Sequence, residues 1–168
     1  MVLRLGGICV AALLVAMPAW AAGATKEMFD ARLSPSPLTD GTRINITGEG
    51  RALVQWDGHI LSVSGDFRGL ATNATTAALH DGLGIGIPGP KAFDLTVTPG
   101  VSGTISGSLA LTAKQAAALR AGHFYVQINS QKAPDGNLTG WLLPPHPFAG
   151  EDVPVAGPGF LPQFDVKK

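Results

Sequence analysis

The run LRAGHFYVQINSQKAPDGNLTGWLL, Leu119 to Leu143, decides how the rest of the chain is read. Phe124, Val126 and Ile128 alternate with Tyr125, Gln127 and Asn129, the period of two that sends successive side chains to opposite faces of a strand. Ala133-Pro134-Asp135-Gly136 offers turn residues, and Asn137 to Leu143 alternates again. The run predicts a β-hairpin that closes a β domain.

Just upstream lies the one helix candidate. Thr112 is placed to accept from the backbone as N-cap, Gln115 stands three residues later as its capping-box partner, and Ala116 to Leu119 are strong helix formers. Gly122 suits the left-handed position after the last turn, so a helix of about three turns is expected. Further upstream the signals are strands. Phe29, Ala31 and Leu33 share one face of a first strand, and Ser34 to Gly48 reads as a loop because Pro35, Pro37 and Gly41 break the alternation. Arg51 to Trp56 and His59 to Phe67 flank Asp57-Gly58, which predicts a hairpin with a type I′ turn. Ala74 to His80 pairs plausibly with Lys91 to Thr98, and Val101 to Leu109 is a Gly- and Ser-rich strand. The sum is an all-β fold of seven or eight strands with one short helix, expected as an immunoglobulin-like or Greek-key β-sandwich.

Between the central strands, Asp81-Gly-Leu-Gly-Ile-Gly-Ile-Pro-Gly-Pro90 alternates glycine with large apolar residues. Glycines that cradle phosphate run from a strand into a helix N-terminus, whereas Pro88 and Pro90 end this segment before another strand. A loop joining two strands is the expectation.

With 168 residues, 45% of them hydrophobic and 14% charged, the chain has enough length for one core. Arg4, the apolar run Gly6 to Met17 and Ala19-Trp20-Ala21 read as a cleavable signal peptide over residues 1–21. Cys9, the single cysteine, falls inside it, so residues 22 onward would hold no thiol for a disulfide, a metal or a nucleophile. Loss of Arg4 with the leader takes the 12 basic residues to 11 against 12 acidic ones, a net charge of −1. Such a chain lacks the basic face that nucleic acid requires, and no later apolar run is long enough to span a bilayer. Residues 144–168 form a Pro-rich tail that carries Phe148, Phe160 and Phe164 without any period, and this composition suits a segment lying extended on its own domain or on a partner.

The order of these pieces resembles the chordin-type (CHRD) domain family. The closing hairpin carries the resemblance at Leu119, Gly122, Tyr125, Val126, Ile128, Asn129, Ser130, Pro134, Gly136, Leu138, Gly140 and Leu142. Phe29-Asp-Ala-Arg-Leu33, Gly50-Arg-Ala-Leu-Val54, Ala77-Ala-Leu-His-Asp-Gly82 and Leu109-Ala-Leu-Thr112 extend it over residues 29–143. The resemblance implies an all-β, immunoglobulin-like domain in an exported protein, mostly without an assigned activity. It also implies a pair of histidines in the central motif and another in the last hairpin, but here Ala78 and Asn129 stand at two of those three places and only His80 remains.

His80 is therefore the one candidate metal ligand, and His59, His123 and His146 lie in segments with no reason to converge on it. No Gly-x-Ser-x-Gly turn or carboxylate pair suggests hydrolysis, and no cofactor is expected. Tyr125 and Trp141 are cross-strand neighbours that would offer a platform to a sugar or a protein if exposed. The expectation is a non-catalytic, periplasmic or secreted interaction or accessory module, whose partner-binding candidates are Tyr125, Trp141, Phe148, Phe160 and Phe164. The alternatives are a metal-binding protein using His80 and a carbohydrate-binding β-sandwich.

Overall fold

The computed structural model describes residues 26–145; residues 1–25, which include the expected signal peptide, and residues 146–168, with His146, Phe148, Phe160 and Phe164, lie outside the described residues. Eight strands and one helix follow in order: β1 (Glu27–Pro35), β2 (Glu49–Trp56), β3 (Ile60–Arg68), β4 (Ala74–Asp81), β5 (Lys91–Val97), β6 (Gly103–Ala110), α1 (Ala113–Arg120), β7 (Phe124–Ser130) and β8 (Ala133–Trp141). The alternation that predicted the strands also sets their burial. Phe29, Ala31 and Leu33 of β1, Ala52, Val54 and Trp56 of β2, and Leu61, Val63 and Phe67 of β3 all point into one core, while their neighbours face outward.

The strands close into an antiparallel barrel in the order β1-β2-β3-β6-β5-β4-β7-β8. Two separate sheets were expected, and the closure corrects that picture. Both seams are narrow: β5 meets β6 through Thr96↔Ser106 and Val97↔Ile105, and β8 meets β1 through Ser34↔Thr139 and Pro35↔Leu138. Reciprocal bonds between Asp30 and Leu143, at 2.9 and 3.0 Å, extend the second seam. Strand alternation is the same in a sandwich and in a barrel, so only these edge bonds separate the two, and they remove the free edges a sandwich would keep. The order β7-β4-β5-β6 is a Greek-key connection, in which α1 carries the chain across to bring β7 beside β4.

Three local expectations are refined. The first hairpin turns without a type I′ geometry, because Gly58 alone takes a positive φ, of 102°, while the Asp57 carboxylate accepts from the amides of His59 and Ile60 at 2.9 and 2.8 Å. The last hairpin turns at Gln131-Lys132, between Ser130 and Ala133, and Ala133-Pro134-Asp135-Gly136 belongs to β8 as an irregular stretch where the register shifts. Lys132 N–H donates to Thr72 Oγ1 and Gln131 N–H to the Asn73 carbonyl, so a distant loop fixes the tighter turn. The helix has eight residues, just over two turns, with both arms of the Thr112–Gln115 capping box formed and Gly122 at φ 74° after it.

Helix α1 lids one end of the barrel. Ala116 and Leu119 are its buried residues, and Arg120 ties its last turn to the start of β1. The guanidinium donates to both Glu27 oxygens, at 2.9 and 2.6 Å, and lies 4.6 Å over the Trp56 ring. Among the described residues no helix is long and apolar enough to cross a membrane.

Candidate functional site: an apolar loop on an aromatic row

Register brings three side chains together on the outer face. His80 of β4 pairs with Tyr125 of β7, and Tyr125 pairs with Trp141 of β8. Their rings form a row, His80 stacked on Tyr125 at 4.8 Å between centroids and Tyr125 tilted against Trp141 at 4.7 Å. An outward tyrosine should be wet, yet Tyr125 is only 3% exposed. The cover is the Gly-rich loop of residues 82–90, which folds back over the row.

The loop is clasped at its base. The Gly89 carbonyl accepts from the Tyr125 hydroxyl at 3.1 Å and from His80 Nδ1 at 3.2 Å, which places a proton on that ring nitrogen because a carbonyl can only accept. Gly89 N–H points back at the Tyr125 oxygen at 3.4 Å. Asp81 N–H donates to the Pro90 carbonyl and Gly82 N–H to that of His123, at 3.0 and 2.8 Å. Glycine is required where the loop touches the row: a β-carbon at Gly82 would stand 2.8 Å from Trp141 Cη2 and 2.6 Å from the Ile87 carbonyl oxygen.

The tip is a tight turn in which Ile87 N–H donates to the Gly84 carbonyl at 3.0 Å, with Gly86 at φ 83°. This geometry turns Leu83, Ile85 and Ile87 outward, at 77%, 60% and 54% exposure. Beside them an open groove of about 550 Å³ runs between the loop and α1, lined by Leu83, Pro90, Lys114, Ala117, Ala121 and His123 among others. Three large apolar side chains held out by a turn clasped at its base are an unusual use of hydrophobic surface.

The predicted site residues divide accordingly. His80 lies at the loop as a hydrogen-bonded histidine, and among the described residues no group of three His, Cys, Asp or Glu side chains gathers to hold a metal. Ala78 shares the outer face with His80, and Asn129 donates to Thr76 Oγ1 at 3.0 Å, so the places where the resemblance would put histidines hold a methyl group and a tied amide. Tyr125 and Trp141 do meet across the hairpin; the exposure on which a platform depended is absent at Tyr125, whose face the loop occupies, while Trp141 is half-buried. Sequence reasoning read the loop as a connection and missed Leu83, Ile85 and Ile87 as surface. Their alternation with glycine was the signal, since residues too apolar for a solvated loop stood where no strand could bury them.

The family model described as CHRD domain matches residues 29–142. The chain belongs to the CHRD domain family. That match reaches into β1, spans β2 to β8 whole and includes the loop over the aromatic row. No curated protein and no solved structure matches the chain.

Proposed function

We propose that this CHRD-domain protein is a non-catalytic, exported interaction or accessory module that binds a protein partner through the apolar tip of residues 83–87 and the groove beside it. The observation that carries the reading is the exposure of Leu83, Ile85 and Ile87 on a loop fixed at both ends by backbone bonds. A surface of this kind gains free energy when covered, about 25 cal/mol per Å² of apolar area, and its rigid base lowers the ordering cost of binding. The leader read at residues 1–21 supports export, and the near-neutral charge supports an apolar over an electrostatic mode of recognition.

Co-purification from the native host tests it. The variant Leu83→Ser/Ile85→Ser/Ile87→Ser changes side chains that touch water and leaves the core intact, so its circular dichroism and melting should match the parent. Loss of a specific partner from this variant, with retention by a Leu53→Ser control on the β2 surface, is expected. Equal recovery by both would end the reading.

A further inference from the structure

From the position at which the described chain ends, we infer that residues 146–168 are the resident occupant of the groove between the 82–90 loop and α1. The inference takes that groove to be a binding surface, as proposed above, and adds what covers it in the free protein.

Topology brings the chain to the same end of the barrel. β8 runs toward the helix-lidded end, and the Asp30–Leu143 bonds carry it past Trp141 along β1. Pro144 and Pro145 then lie beside Lys26, Met28 and Arg120. The apolar loop belongs to the same end, since it joins the last residue of β4 to the first of β5. Gly122 measures how close the two are: a β-carbon there would stand 3.0 Å from Ile85 Cγ1 and 3.4 Å from Leu143 Cδ2. The tip and the departing chain thus converge on one glycine.

The chemistry of the segment fits the surface. Residues 146–168 bring Phe148, Val153, Val155, Phe160, Leu161 and Phe164, an apolar supply interspersed with four further prolines. Fully extended proline-rich chain advances about 3.1 Å per residue, which gives the segment a maximal span of roughly 70 Å. Tethering holds it at an effective concentration on the order of millimolar, ahead of a second copy, and a partner that takes the tip must displace it. Glu151-Asp152 is also opposite in charge to Lys114 on the groove wall.

NMR of the chain from Ala22 to Lys168 decides it, comparing the parent with Phe148→Ser/Phe160→Ser/Phe164→Ser. The variant should shift the methyls of Leu83, Ile85 and Ile87 and the amides of Lys114, Ala117 and Ala121, and leave Leu53 and Val101 on other surfaces in place. The differences should persist unchanged through a tenfold dilution. Differences that fade on dilution would assign the groove to a second copy and overturn the inference, and so would unchanged groove signals. Either failure leaves the partner reading to the loop variant described above. Shifts at the groove would establish the tail there even if that variant lost no partner.

Discussion

Gly82 is the point at which loop and aromatic row leave no space for a side chain. Gly82→Ala must displace either Trp141 or the Ile87 carbonyl, and a cost of about 1–3 kcal/mol is expected in denaturant unfolding. Tyr125→Phe asks a subtler question, because it keeps the ring and removes only the hydroxyl that bonds Gly89. It should cost about 1 kcal/mol and speed hydrogen exchange at Gly89 and Ile87, while amides of Val126 and Ile128 in the core stay protected. A purely structural ring would lose the stability without the local exchange. At this scale the sequence was half legible. Alternating glycines marked a loop, but their necessity comes from Trp141, about sixty residues away, and no local pattern reports which strand a loop will lie against.

The elements were read best where their signals are local. Thr112 and Gln115 sit within one turn of each other, so the helix start was visible, and Thr112→Ala should lower stability by about 1 kcal/mol by removing one arm of the cap. The helix matters beyond its length, since it forms one wall of the groove and lids the barrel with Leu119. The last hairpin was misplaced for the opposite reason. Pro134-Asp135-Gly136 is the stronger local turn signal, yet bonds from Gln131 and Lys132 to the 72–73 loop, and from Ser36 N–H to the Asn137 carbonyl, select a turn three residues earlier. Tertiary contacts outvoted turn propensity there.

For the whole molecule, closure into a barrel was invisible because every strand alternates alike in both architectures; two short seams decide it. The lid and the β2–β3 pair share an electrostatic device. The Arg120 guanidinium beside Glu27 holds that carboxyl below its ordinary range, and Arg68 does the same for Glu49 on the far end of β2. Asp57 is lowered as well, by the amides of Ile60 and His59. Each folded carboxyl binds its proton less readily than the unfolded one, so its contribution is present above the ordinary carboxylate pKa and is lost as pH falls through the lowered values. Melting temperature should therefore be level near neutrality and decline on acidification below about pH 4.5, and Glu27→Gln should flatten part of that decline. Beyond stability, the proposed function requires the apolar tip to be a contact surface in the native setting. The most direct measurement places a photo-crosslinking phenylalanine analogue at Ile85, and separately at Leu53, in the full chain expressed in its own host. A discrete adduct with another protein from position 85, and none from position 53, is the predicted result; no adduct from either, or the same adducts from both, would contradict it.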